Sequence, residues 1–263
     1  MNDTLNNPIT ISSALSDSPS SSTSAKYQFF DTKQLIPKIL EKGWRLHLET
    51  EARVYNSKKQ GFQRHMLIFK NPLFSNAEGN FQIVLRNAHD SSCSVEIFVG
   101  FMRIICQNQL FARELGTGSL IRIRHVGKDV QEKVIRGFNQ MINFLPIYEK
   151  SIDRLRKRIL SPAEMNTFAL RAIALRFPDY EKSKLKIFPE NFLEPRRNED
   201  SGNSAWAVYN RVQENLIRGR IPIGSIRNGK EISTLSRPLK SMNRVPELND
   251  KLLDGILEIA DVK

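Results

Sequence analysis

Apolar side chains in this chain recur at every second position between residues 44 and 126, and at every third or fourth position from residue 130 onward. A period of two puts successive side chains on opposite faces of a strand, whereas a period near 3.6 lines up one face of a helix. The switch predicts strands followed by helices. The expected fold is therefore α+β: an antiparallel β-sheet over residues 44–126, covered on one face by C-terminal helices.

Residues 44–55 set the strand pattern, with Leu46, Leu48, Ala52 and Val54 on one side and Arg45, His47, Glu49, Glu51 and Arg53 on the other. The runs 62–70 and 81–87 are rich in Phe, Ile, Leu and Val and are separated by turn-forming sequence, which predicts a meander. Residues 94–110 form a long apolar run, expected as one strand or a strand broken at Gly100. In residues 119–126, Ile121 and Ile123 face one way and Arg122 and Arg124 the other, which predicts an exposed basic face opposite the helices.

Ahead of the sheet, residues 31–40 carry a short helical stripe with Asp31 or Thr32 as its cap. After it, helices are expected over residues 130–144, in a basic stretch beyond Pro146, and from Ser161, where Pro162 and Glu164 complete a strong start signal. Further helices are expected from Ser204 to Arg218, stopped by Gly219, and from Pro246 to Ala260. Residues 1–25 hold eleven Ser or Thr, two Asp and no Lys or Arg, and are expected to be a disordered leader before a single domain spanning 26–263.

Charge narrows the function. The chain carries 40 Lys and Arg against 28 Asp and Glu, a net +12 on 263 residues, and the leader is acidic, so the folded body is the basic part. Such an excess favours a polyanionic partner, because cations that neutralise phosphates release condensed counterions. Residues 218–244 alone hold seven Lys or Arg and one acid, Glu231. With Gly219, Gly224 and Gly229 they are expected to form an open basic loop.

Three polar clusters could carry chemistry. Asn87, His89 and Asp90 suit metal or acid–base work, or simply a turn in which Asx side chains bond their own backbone. Cys106 and Asn108, with Arg103 nearby and His125 on the next strand, could pair a thiol with an imidazole, although a Cys flanked by Ile104 and Ile105 also suits a core. On the 204–218 helix, Ala205, Val208, Tyr209, Val212 and Leu216 form a buried stripe, and Trp206, Asn210, Gln213 and Glu214 fall on the adjoining face. That face could stack a base and bond its edges, or form a buried polar network that orients the helix.

Other classes are excluded or disfavoured. No phosphate loop, dinucleotide fingerprint or His-Glu-x-x-His helix occurs, so no nucleotide cofactor or metal is expected; His47 and His65 would make a site only if their strands pair in register. Cys93 and Cys106 cannot form a disulfide scaffold and are consistent with a reducing cytoplasm. No apolar run of membrane-spanning length is present.

Several segments resemble one bacterial family. Residues 87–92 (Asn-Ala-His-Asp-Ser-Ser), 101–110 (Phe-Met-Arg-Ile-Ile-Cys-Gln-Asn-Gln-Leu), 123–127 (Ile-Arg-His-Val-Gly) and 206–219 (Trp-Ala-Val-Tyr-Asn-Arg-Val-Gln-Glu-Asn-Leu-Ile-Arg-Gly) are similar to motifs of the plasmid- and prophage-encoded "phage/plasmid-like protein" family, domain of unknown function nine hundred and thirty-two. Residues 234–249 resemble the segment that follows them. Gln109 departs from the pattern, where Gly is expected. The resemblance lends no established activity; it implies a cytoplasmic protein of a mobile element.

The leading expectation is a non-enzymatic nucleic-acid-binding protein in DNA metabolism, with DNA favoured over RNA and homo-oligomerisation open. Its contacts would be Arg122, Arg124, Trp206, Asn210, Gln213, Arg218, Arg220, Arg227, Arg237 and Lys240. The alternatives are a hydrolase or nuclease using His89, Asp90, Cys106, Asn108 and His125, and an inhibitor-type module that binds a host protein.

Overall fold

The computed structural model describes residues 9–76, 79–103, 109–112, 120–178, 185–227, 230–241 and 244–261. The chain is α+β and divides into two compact units, residues 1–145 and 146–263. The division falls at Pro146, within a helix.

The first unit is built on an antiparallel sheet of β1 (Arg45–Glu51), β2 (His65–Ser75), β3 (Gly79–Asn87), β4 (Val95–Arg103), β5 (Gln109–Ala112) and β6 (Leu120–Ile123). The first five lie in sequence order, and β6 also pairs with β4. Thus β4 runs unbroken through Gly100, pairing with β6 along Val95–Phe98 and with β5 along Val99–Met102. The long apolar run is therefore two strands, because its second part turns back onto its first.

Register assigns the faces. On one face, His65 stands opposite Asn87, Leu67 opposite Leu85, Phe69 opposite Ile83, and Leu85 opposite Ile97. Here α2 (Val130–Lys157) begins its packing: Phe138 meets Trp44 and Phe69 edge-on at 5.9 and 5.8 Å. Gly137 lets the helix approach, since a Cβ there would lie 3.0 Å from Ile97. The opposite face was expected to be wet. Its centre is not, for Ile68, Gln82, Val84 and Phe98 are all fully buried. Strands buried on both sides read as continuous apolar runs rather than alternation, which is how β2 to β4 are composed.

The leader also departs from expectation. From residue 9 it packs against the sheet: the Thr10 N–H donates to Glu49, Ser13 to Glu51, and the Ser20 N–H to the His89 carbonyl at 2.8 Å. Ser13 and Ala14 are fully buried. The Glu49 and Glu51 carboxylates accept from strap backbone N–H groups as well as from its hydroxyls, satisfying backbone groups that a hydrophobicity argument does not count. The strap then enters α1 (Thr32–Leu40), capped by Asp31 as expected.

The second unit holds the rest of α2, α3 (Pro162–Arg176), α4 (Glu190–Leu193), α5 (Ala205–Arg218), a hairpin of β7 (Pro222–Arg227) and β8 (Lys230–Leu235), and α6 (Arg244–Ile259). The Ser161–Glu164 capping box forms, and Ser204 caps α5. Pro146 lies inside α2 rather than ending it. The expected open loop 218–244 is instead largely the hairpin, with Arg227 opposite Lys230. Asn228-Gly229 between its strands is the strongest short hairpin signal in any sequence, and β-branched Ile223 and Ile232 flank it.

Gly219 ends α5 at φ +66°, and a Cβ there would sit 2.7 Å from the Ser236 carbonyl oxygen. Gly219→Ala combines a left-handed residue with a backbone clash. We expect it to cost about 2 kcal/mol in urea unfolding, and Gly202→Ala, which meets nothing, to cost little.

Candidate nucleic-acid interface and a buried histidine network

In the first unit, a groove of about 520 Å³ runs beside β6 and the start of α2, lined by Ile121, Arg122, Ile123, Arg124, Val126, Lys133, Arg136, Gly137 and Gln140. Four cations and no carboxylate line it. Arg122 is 54% exposed and is steadied by Glu96 at 3.2 Å, while Glu96 also pairs with Arg86 across β3 and β4. Arg122 and Arg124 were expected contacts; Lys133 and Arg136 were not. Their signal is in the sequence, since Lys133, Arg136 and Gln140 share one helical face at i, i+3 and i+7.

The expected base-reading face of α5 is buried. Trp206 is 5% exposed and stacks on Tyr209 at 5.8 Å with Arg156 over its ring, so no base can reach it. Asn210 donates to the Trp206 carbonyl at 2.8 Å, and Gln213 donates to Asn249 at 3.0 Å. Glu214 is held by Arg197 at 3.1 Å and Arg218 at 3.0 Å. Here the polar face orients the helix, as the alternative reading had it. Arg220, Arg237 and Lys240 are exposed, Arg218 keeps partial exposure beside Glu214, and Arg227 closes β7.

Three of the five catalytic candidates, His89, Asp90 and His125, fall among the described residues. Cys106 and Asn108 lie outside the described residues. Asp90 accepts from the Ser92 N–H at 3.0 Å and sits 3.9 Å from Lys59, a turn-forming role. His89 points inward, fully buried between Phe29 at 4.7 Å and His65 at 5.2 Å, with neither ring nitrogen hydrogen-bonded. His89 and Asp90 therefore do not form an acid–base pair.

Register brings His125, Asn87 and His65 together instead. His125 Nδ1 lies 3.0 Å from the Gln28 carbonyl and Nε2 lies 2.9 Å from Asn87 Oδ1. Asn87 donates to Thr32 Oγ1 at 3.3 Å, which lies 3.3 Å from His65 Nε2, and His65 Nδ1 lies 3.4 Å from the Gln63 carbonyl. The chain ends on an acceptor-only carbonyl at both sides. Completing all five links takes one proton more than the neutral side chains carry. Burial opposes that proton: it pushes His65 down to about 4 against the help of the Gln63 carbonyl and Glu51, and it lowers His125 against the Gln28 carbonyl. Burial also takes His89 down to about 3, aided by His65 and His125. His47, half-buried near Lys70, is lowered too and stands apart from this network. No group of three His, Cys, Asp or Glu among the described residues is arranged to hold a metal.

His125 also lines a cleft of about 400 Å³ with Ser24, Tyr27, Ser91, Cys93, Ser94, Arg124 and Val126. Tyr27 stacks on its ring at 4.5 Å. The cleft adjoins the basic groove, because Arg124 and Val126 line both. Tyr27, just beyond the leader, was not singled out in the sequence, and Cys93 was read there only for disulfide and redox compartment.

Comparison with known proteins places these features in a family. The description "Domain of unknown function (DUF932)" matches residues 19–250. The chain belongs to this family. Two curated relatives from Escherichia coli (strain K12), UPF0380 protein YfjQ and UPF0380 protein YafZ, are each 27% identical over 242 residues, which is 92% of this chain and 85% of theirs. No solved structure matches. In this DUF932 chain the matched span takes in the whole histidine network and every cation of the groove. No helix among the described residues is long and apolar enough to cross a membrane.

Proposed function

We propose that this DUF932 protein is a non-enzymatic nucleic-acid-binding protein of a mobile element, acting in DNA metabolism. The observation that carries the reading is the groove beside β6, where Arg122, Arg124, Lys133 and Arg136 converge without a lining carboxylate. Its volume of about 520 Å³ is that of a small-molecule cleft, so it suits a single strand or one stretch of backbone rather than a whole duplex. With Trp206 buried, no indole stacks on the bases, and recognition rests on phosphates. Binding of this kind is strongly salt-dependent and weakly sequence-dependent.

The groove cations should contribute about 0.7 each to the salt slope on single strands. Changing Arg124, Lys133 and Arg136 to Ala together is expected to flatten that slope by about 2 and to weaken binding at least tenfold, read by fluorescence anisotropy of a labelled oligonucleotide. Arg122 is left in place because it pairs with Glu96. Unchanged affinity and slope in the triple variant would sink the reading. A stoichiometric protein that stays bound to the chain after nuclease treatment would favour the host-protein module instead.

A further inference from the structure

We infer a second, independent site in the C-terminal unit: a phosphate-sized oxyanion pocket between the end of α3 and the start of α6, held by Arg176 and Arg244. The pocket encloses about 100 Å³ and is lined by Leu175, Arg176, Leu239, Arg244, Glu247, Leu248 and Lys251. It is several-fold smaller than pockets that take drug-sized molecules, and a single tetrahedral oxyanion fits that scale.

Three cations and one acid line it; the acid, Glu247, pairs with one of those cations, Lys251, at 3.5 Å, which leaves the two guanidiniums as the excess positive charge. Neither guanidinium has a carboxylate partner among the described residues. Arg176 is half-buried, donates one hydrogen bond to the Arg237 carbonyl at 2.7 Å, and lies over the Phe177 ring. That leaves most of its planar donor fork for another acceptor. Burial and the neighbouring Arg244 both press it toward losing its charge. A cation at the end of α3 would serve the helix dipole alone, but that role does not need a second guanidinium beside it. Two like charges gathered at a small pocket are costly unless an anion joins them, and phosphate oxygens accept bidentately from Arg.

The chemistry fits a phosphate ester or free phosphate, and the inference does not depend on the groove beside β6. The test uses the full chain and calorimetric titration with inorganic phosphate against chloride at equal ionic strength. Saturable phosphate binding is expected in the wild type, with at least a tenfold loss in Arg244→Gln and in Arg176→Gln, and partial return in Arg244→Lys. Arg244 is exposed, so its variants report even if Arg176→Gln fails to fold. The groove triple variant should keep phosphate binding, which separates failure here from failure there. Competition by an oligonucleotide lacking terminal phosphates would identify backbone phosphodiester as the ligand; competition by a nucleoside monophosphate alone would identify a terminal or free phosphate. Phosphate binding no stronger than chloride, or binding that survives Arg244→Gln undiminished, overturns the site.

Discussion

Glu214→Gln is expected to lower the stability of the C-terminal unit by about 3 kcal/mol, although the side chain barely changes shape. Glu214 is 3% exposed, and its carboxylate holds Arg197 and Arg218 at the end of a helix buried along nearly its whole length. A neutral amide retains one acceptor and loses the charge, so the guanidiniums around it repel: Arg196 already feels both Arg218 and Arg220. The partial exposure of Arg218 limits the loss, because water can resolvate part of its charge. Glu258→Gln removes a pair with Arg171 in which both partners are exposed, and should cost no more than about 0.5 kcal/mol. The measurement is the urea midpoint followed by Trp206 fluorescence in a Trp44→Phe background, since each unit holds one of the two Trp. Equal midpoints for the two variants would show that Glu214 is not the centre of that polar spine.

The same helix shows where sequence reading runs out. Its apolar stripe, Ser204 cap and Gly219 stop were all legible, because periodicity and capping are local properties of the chain. Whether Trp206, Asn210 and Gln213 faced solvent was not local. It depended on Asn249 and Arg156, far along the chain, arriving to satisfy them. Asn228-Gly229 is the opposite case: the local signal was present, but the charge of residues 218–244 drew the reading toward an open loop. Pro146 was read as a helix end, yet the helix continues through it.

The candidate site divides in the same way. Arg122 and Arg124 were legible from strand alternation, and Lys133 and Arg136 carry their signal in their i, i+3 spacing on the polar face of α2. The network of His65, Asn87 and His125 was not legible, because it needs the pairing of β2 with β3 and the return of the strap through Gln28 and Thr32. Cys106 with His125 drew attention because the two were expected on successive strands; Cys106 lies outside the described residues, and His125 meets Asn87 and the Gln28 carbonyl through non-local contacts.

The largest pH effect should come from this network, as acid lability of the first unit. Free imidazole titrates near 6.5, whereas buried His65 resists protonation down to about 4 and His89 down to about 3. Between those values the unfolded chain binds protons that the folded chain refuses, so stability is complete above about 6.5 and is lost as the pH falls toward the folded values. By pH 5 the two histidines together should cost about 4 kcal/mol, a large share of an ordinary domain's stability. They differ in what they hold. His65 ties Thr32 into the chain of hydrogen bonds, so His65→Phe breaks the network and destabilises at every pH. The His89 ring holds nothing by hydrogen bonding and sits against Phe29. His89→Phe should therefore be neutral or stabilising at pH 7, where two buried nitrogens without partners disappear, and should gain about 2 kcal/mol on the wild type at pH 5. Circular dichroism of urea unfolding at the two pH values is the check. A variant as acid-sensitive as the wild type between pH 6.5 and 5 would mean that His89 already carries its proton in the native fold, and that a partner for it exists inside the sheet.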